Sequence, residues 1–226
     1  MNASRPPKAK RQNASAAREE IPGGADKPVR RSARDKLIDA AHATVRYKGF
    51  AATSVEELCV AAGVTKGAFF HHFASKEALA VAAASAWTDR AETHVFTLPA
   101  WTKIEDPLER YLGHIDFRLA MIDGPIEDFT CFVGTMVQES FATSDPIRAA
   151  CNASITAYAE RLAEDIQPAI DRYGVRGGVT ALSLAYYTQA ALQGAFIMAK
   201  AKNDPSIARD TVNHLKHYVL MLFGKE

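Results

Sequence analysis

The chain has 226 residues, 48% of them hydrophobic, and a near-neutral balance of 27 Lys and Arg against 26 Asp and Glu. This composition is ordinary for one large or two small packed domains. It excludes a membrane-spanning helix, since no apolar run approaches the roughly 18 residues a span needs, and three cysteines without CxxC-type spacing indicate neither a disulfide framework nor a zinc cage.

That cysteine usage fits a reducing cytoplasm. The near-neutral total hides an asymmetry: residues 1–76 carry 14 Lys and Arg against 7 Asp and Glu, and residues 77–226 carry 13 against 19. A basic front joined to an acidic remainder suits a polyanion partner at one end and a separate task at the other.

Residues 1–30 have almost nothing to bury and read as a disordered basic arm. They lack the apolar stretch of a secretory signal, and Glu19, Glu20 and Asp26 are foreign to a transit peptide. From Ser32 onward Leu37, Ile38, Ala41, Thr44 and Val45 recur at helical spacing until Gly49 stops the helix. Ser54 and Glu57 have capping-box spacing and open a second helix, with Leu58, Cys59 and Ala62 as its apolar stripe. Gly63 supplies the left-handed residue of a tight turn, and a short third helix starts at Thr65. In it Phe69 and Phe73 stand four apart and predict core, which turns Lys66, Phe70 and His71 outward. Ser75 caps a fourth helix, "KEALAVAAASAWTDRAETHVF". Prolines and the "YGVRGG" stretch then punctuate amphipathic segments near 106–122, 126–141, 145–173, 178–202 and 205–223. Nothing alternates like a strand, so the expected fold class is all-α.

Two helices joined by a short glycine turn, the second short and polar on its outer face, form a helix-turn-helix. The motifs "YKGF", "TSVEEL", "AAGVTKG" and "HHFASKEAL", in this order and spacing, resemble the N-terminal domain of TetR-family transcriptional regulators. The resemblance implies a three-helix helix-turn-helix DNA-binding domain at 31–76, followed by a larger helical ligand-binding and dimerisation domain at 77–226. Carried over position by position, Thr65, Lys66, Gly67, Ala68, Phe70, His71 and His72 match the family's DNA-facing positions. Lys76 matches a phosphate-contacting lysine, and Thr53 and Ser54 a phosphate contact at the start of the second helix. Family members often have Tyr where Phe70 stands, so a hydroxyl contact is missing here. Core is the alternative for Phe70, and solvated charge for Lys66 and Lys76. His71 and His72 point about 100° apart on a helix, which argues against a metal pair.

In the larger domain Trp101, Tyr111, His114, Phe117, Phe132, Met136, Tyr158, Gln189 and Gln193 combine rings with a few polar groups. Such a set suits a small, mainly apolar ligand, and equally a helical core. The resemblance implies pairing of two copies through the last two helices, for which Tyr187, Ala191, Gly194, Met198, Leu215, Val219 and Leu222 offer apolar surface. Intramolecular core competes for the same residues. "DFTCFVGTMVQES" resembles a Gly-Cys-Leu-x-Gly-x-x-x-x-Glu stretch found in a subset of TetR-like regulators. Cys131, Gly134 and Glu139 match it and Thr130 departs from its first Gly. In some of those proteins the cysteine senses oxidants or electrophiles. The competing reading is a small buried hydrophobe, and no Lys or Arg lies within five residues of Cys131.

The expectation is a homodimeric, cytoplasmic regulator with no cofactor, metal or catalytic residue: a repressor released from palindromic double-stranded operator DNA by a small-molecule inducer. A repressor sensing electrophiles through Cys131 is the alternative within this class, and an activator or architectural DNA binder a further one. From another class comes a helical enzyme using His71, His72 or Cys131, for which no nucleophile, base and orienting residue assemble by spacing.

Overall fold

The computed structural model describes residues 31–225; the expected basic arm, residues 1–30, lies outside the described residues. Within them the chain forms ten α-helices and no strand. The first four follow their local signals. α1 (Ala33–Lys48) starts where Ser32 accepts the Asp35 N–H at 3.1 Å, and carries Asp35 in its first turn and Arg46 and Lys48 in its last, as the helix dipole favours. α2 (Val55–Ala62) opens with the full capping box of Ser54 and Glu57 and ends at Gly63, whose φ of 63° and ψ of 41° is the left-handed conformation the tight turn requires. Thr65 and Ser75 cap α3 (Lys66–His72) and α4 (Lys76–Ala91). α4 runs on into a π-helical turn, Glu92–Thr97.

A short 3₁₀ turn, Ala100–Lys103, leads to α5 (Pro107–Ala120), capped by Asp106. The single segment expected over 126–141 is instead two helices, α6 (Ile126–Phe129) and α7 (Phe132–Ser140). Thr130 between them is extended, and Cys131 caps α7, its Sγ accepting the Gly134 N–H at 3.4 Å. α8 (Asp145–Tyr173), α9 (Ala181–Lys202) and α10 (Ser206–Leu222) complete the chain.

Two cores hold these helices. The larger joins α5, α8, α9 and α10 around Tyr111, Leu162, Leu192, Phe196, Leu215 and Val219. The other gathers Leu37, Leu58, Phe69, Phe73 and Leu79 from the first four helices, and Phe132, Met136, Ile147 and Cys151 from α7 and α8 complete it. Burying a side chain such as Phe69, which is fully inaccessible, contributes roughly 1.5–3 kcal/mol. The helix-turn-helix core is therefore closed by residues of the larger helical region. The boundary expected after residue 76 falls at the first residue of α4, a helix that packs on both α1 and α8.

Candidate nucleic-acid interface and internal cavity

α3 carries its polar residues outward. Thr65 accepts the Ala68 N–H at 3.1 Å, and Thr65, Lys66, Gly67, Phe70, His71 and His72 are exposed while Ala68 is half-buried. The Phe70 ring remains 51% exposed beside a fully buried Phe69, so Phe70 is not core. A Cβ on Gly67 would meet nothing closer than 3.8 Å, which leaves bare backbone on the outer surface. Lys66 pairs with Glu56 of α2, both well exposed. Such a pair contributes little and exchanges readily.

Of the expected phosphate contacts, Thr53 faces inward, against the expectation, and Lys76 is engaged within the protein. Thr53 is 1% exposed, and its hydroxyl donates to the Gly49 carbonyl at 2.7 Å; Ser54 is the exposed member of the pair. Lys76 is partly buried and donates to the carbonyls of Phe50 at 3.0 Å and Thr53 at 2.9 Å. Its ammonium also lies 4.3 Å from the centre of the Phe50 ring, and burial lowers its pKa. Lys76 clamps the loop between α1 and α2, with two of its protons committed there.

A cavity of about 400 Å³ lies behind this region, within the size range of small-molecule sites. Trp87, Val95, Phe129, Ile155, Leu192 and Phe196 supply apolar wall. Polar atoms come from Thr130, Ser154, Tyr158, Gln189 and Gln193. Arg46, Arg90, Arg118 and His94 border it, against a single carboxylate residue, Asp128. A smaller cavity of about 230 Å³ adjoins it, lined in part by Thr135, Glu139 and Lys200, and Cys131 borders both.

Of the residues expected to meet a ligand, Tyr158, Gln189 and Gln193 line the cavity and the others do not. Trp101, Tyr111, His114, Phe132 and Met136 are each at most 6% exposed. Their side chains fill the spaces between helices, and Phe117 packs against the larger core. His114 stands behind the wall, its Nε2 2.8 Å from the Tyr158 hydroxyl. Burial, aided by the charge of Arg118, pushes its pKa down to about 3. Arg46, Trp87 and Arg118 are wall residues that sequence reasoning missed. Arg118 was findable, because it shares a face of α5 with Tyr111 and His114 and places a cation in an apolar stripe.

The cavity and the N-terminal helices share side chains. Arg46 of α1 borders the cavity and donates to the Asp128 carbonyl at 2.8 Å, while Lys200 of α9 donates to the Arg46 carbonyl at 2.8 Å. Glu139 of α7 accepts the Ala51 N–H at 2.7 Å. It sits so close to Gly49, whose φ is 93°, that a Cβ there would come within 2.3 Å of its carboxylate.

Comparison with known proteins agrees with this layout. The family model described as bacterial regulatory proteins, tetR family, matches residues 37–83, and the tetracyclin repressor-like C-terminal domain matches residues 107–215. The chain belongs to the TetR family. Among curated relatives, the transposon Tn10 TetC protein of Escherichia coli is 32% identical over 89 residues, 38% of this chain and 45% of that protein. The uncharacterized HTH-type transcriptional regulator YerO of Bacillus subtilis is 42% identical over 50 residues, 22% of this chain and 17% of that protein. These matches thus span less than half the length of either relative. Among solved structures, the regulatory protein TetR from Rhodobacter sphaeroides superposes with a TM-score of 0.70 at 24% identity, covering 82% of this chain and 97% of that one. E. coli NemR in its reduced form gives 0.69 at 21%, covering 82% and 96%. At these identities the structural likeness speaks for the fold.

The last two helices of this TetR-family chain leave an apolar face uncovered. Tyr187 and Met198 are 46% and 48% exposed, Gly194 between them is exposed, and Ala191 is partly buried. Leu215 and Val219, expected on the same face, point into the protomer's own core at 3% and 0% exposure, and Leu222 packs partly against that core. The outward side of α10 carries instead Asn213, His214, His217 and Met221, while Tyr218 is half-buried with its ring 4.9 Å from that of Tyr187. Among the described residues no helix is long and apolar enough to cross a membrane, and no cluster of three or more His, Cys, Asp or Glu could hold a metal ion.

Proposed function

We propose that this TetR-family regulator is a homodimeric repressor, acting in the cytoplasm, that leaves a palindromic operator when a small molecule enters the cavity. The observation that carries the reading is Arg46, a residue of the helix-turn-helix core helix that is also part of the cavity wall. A ligand there acts on α1 directly, and a small tilt of α1 in each protomer changes the distance between two recognition helices that must reach successive major grooves. The exposed faces of α3 and of α9 with α10 supply the DNA contact and the pairing surface. The test is binding to an operator selected from random DNA. His71→Ala is expected to weaken it by about 1–3 kcal/mol and to relax one base pair per half-site, while Lys66→Ala weakens all sequences alike and flattens the salt slope by about one. Wild-type binding by both variants would remove the groove assignment.

A second reading has its own support. Cys131 is partly exposed and borders both cavities, in the company of Arg46 and Lys200 and of the carboxylates of Asp128 and Glu139. If the thiol is a sensor, a quinone will modify Cys131 and release DNA from wild type but not from Cys131→Ser, as mass spectrometry and DNA binding on one sample would show. Modification without release would leave the cysteine a bystander.

A further inference from the structure

The charge pattern of the cavity bears on what enters it, and this step rests on the reading of the cavity as the effector site. Three arginines border a mostly apolar space against one aspartate. Two of the three are already engaged. Arg46 donates to the carbonyls of His42 at 3.0 Å and Asp128 at 2.8 Å and lies over the Trp87 ring, and Arg90 binds the Asp39 carboxylate at 3.0 Å. Arg118 differs. Its Nε is buried with no acceptor, and the nearest partner of its Nη1 is the Met121 sulfur at 3.9 Å, among the described residues. A guanidinium on the cavity wall that meets no oxygen acceptor among the described residues is free to take a carboxylate through charge-assisted hydrogen bonds.

The surroundings of Arg118 define the rest of the ligand. The Tyr158 hydroxyl is a neutral polar neighbour on the same wall, anchored by His114. The π-helical turn that extends α4 sets His94 and Val95 into the wall, and such turns recur at binding sites. Trp87, Phe129, Leu192 and Phe196 give the wall its apolar stretch, and Thr130, Ser154, Gln189 and Gln193 add neutral polar groups. We infer that the effector is an organic acid, a carboxylate carried on an apolar body, with the carboxylate on Arg118 and the body against the rings.

Titration calorimetry of the full chain tests this with naphthoate, cyclohexanecarboxylate and octanoate, each beside its methyl ester and its primary amide. The acids are expected to bind roughly tenfold to a hundredfold tighter than their neutral partners. Arg118→Gln should erase that preference and Arg118→Lys should keep part of it, with thermal unfolding recorded for each variant. The comparison of acid with ester on the wild type stands even if a variant fails to fold. Esters binding as well as acids would overturn the inference and leave the effector site in place. If no acid, ester or amide binds, the effector reading falls with it.

Discussion

Truncating Phe132 to alanine will cost about 3–5 kcal/mol of folding stability, read as a shifted urea midpoint at unchanged slope. Phe132 is fully inaccessible, and its ring meets His42 of α1 at 4.8 Å and Trp87 of α4 at 5.9 Å between centroids. It is the wedge by which α7 closes the core of the first four helices. The loss is a large share of the 5–15 kcal/mol that typically holds a domain together. It also separates two roles for this residue. A ring that lined the ligand cavity would cost little stability when removed and would change ligand affinity, so a stability change under about 1 kcal/mol would defeat the core assignment.

Acidification from about pH 7.5 to pH 5 will remove roughly 4 kcal/mol of stability through two buried histidines, at about 1.4 kcal/mol per pH unit for each. His42 is 2% exposed and His114 fully buried. Burial pushes their pKa values down to about 4 and about 3 from an ordinary 6.5; at His42 the charges of Arg90 and Arg46 add to it, against Asp39 and the Ala83 carbonyl. A base with a depressed folded pKa binds its proton more readily when unfolded. Its contribution is therefore complete above pH 6.5 and is lost as pH falls toward the folded value. The interval ends above the range in which carboxylates titrate, which isolates the histidines. Urea denaturation at the two pH values checks this in wild type and in His42→Gln/His114→Gln. An equal loss in the double variant would assign the effect to other groups.

How much was legible in the sequence follows from how local each feature is. Ser54 with Glu57, Gly63, Thr65 and Ser75 act on backbone within three residues of themselves, so spacing alone locates the first four helices. Phe69 and Phe73 were legible for the same reason, since four residues on a helix fix a shared face. The cavity was not. Its wall is assembled from seven helices and the π-helical turn, and a ring such as Phe129 or Tyr111 turns to the void or into a seam according to how distant helices pack. The hydrophobic surroundings of α9 on several sides likewise hide which of its faces is outward, and Leu215 and Val219 of its neighbour, apolar at a spacing that suits an exposed face, lie in the core instead. At Cys131 the neighbouring cations Arg46 and Lys200 come from positions 85 and 69 residues away in the chain, beyond any local window.

The ties between α1, its following loop and the cavity side have a further property. On the DNA-reading side, Glu139 grips the N–H of Ala51 and Lys200 grips the carbonyl of Arg46; both partners are main chain. Main-chain groups are the same whatever side chain stands at the position. If the chain works as proposed, the outer residues of α3 could be exchanged, and the operator preference rewritten, with these main-chain ties to the cavity side left in place. Under the proposed function, address and response would be separately editable, and the outer face of α3 would be the place to graft a new operator preference onto the proposed chemical trigger.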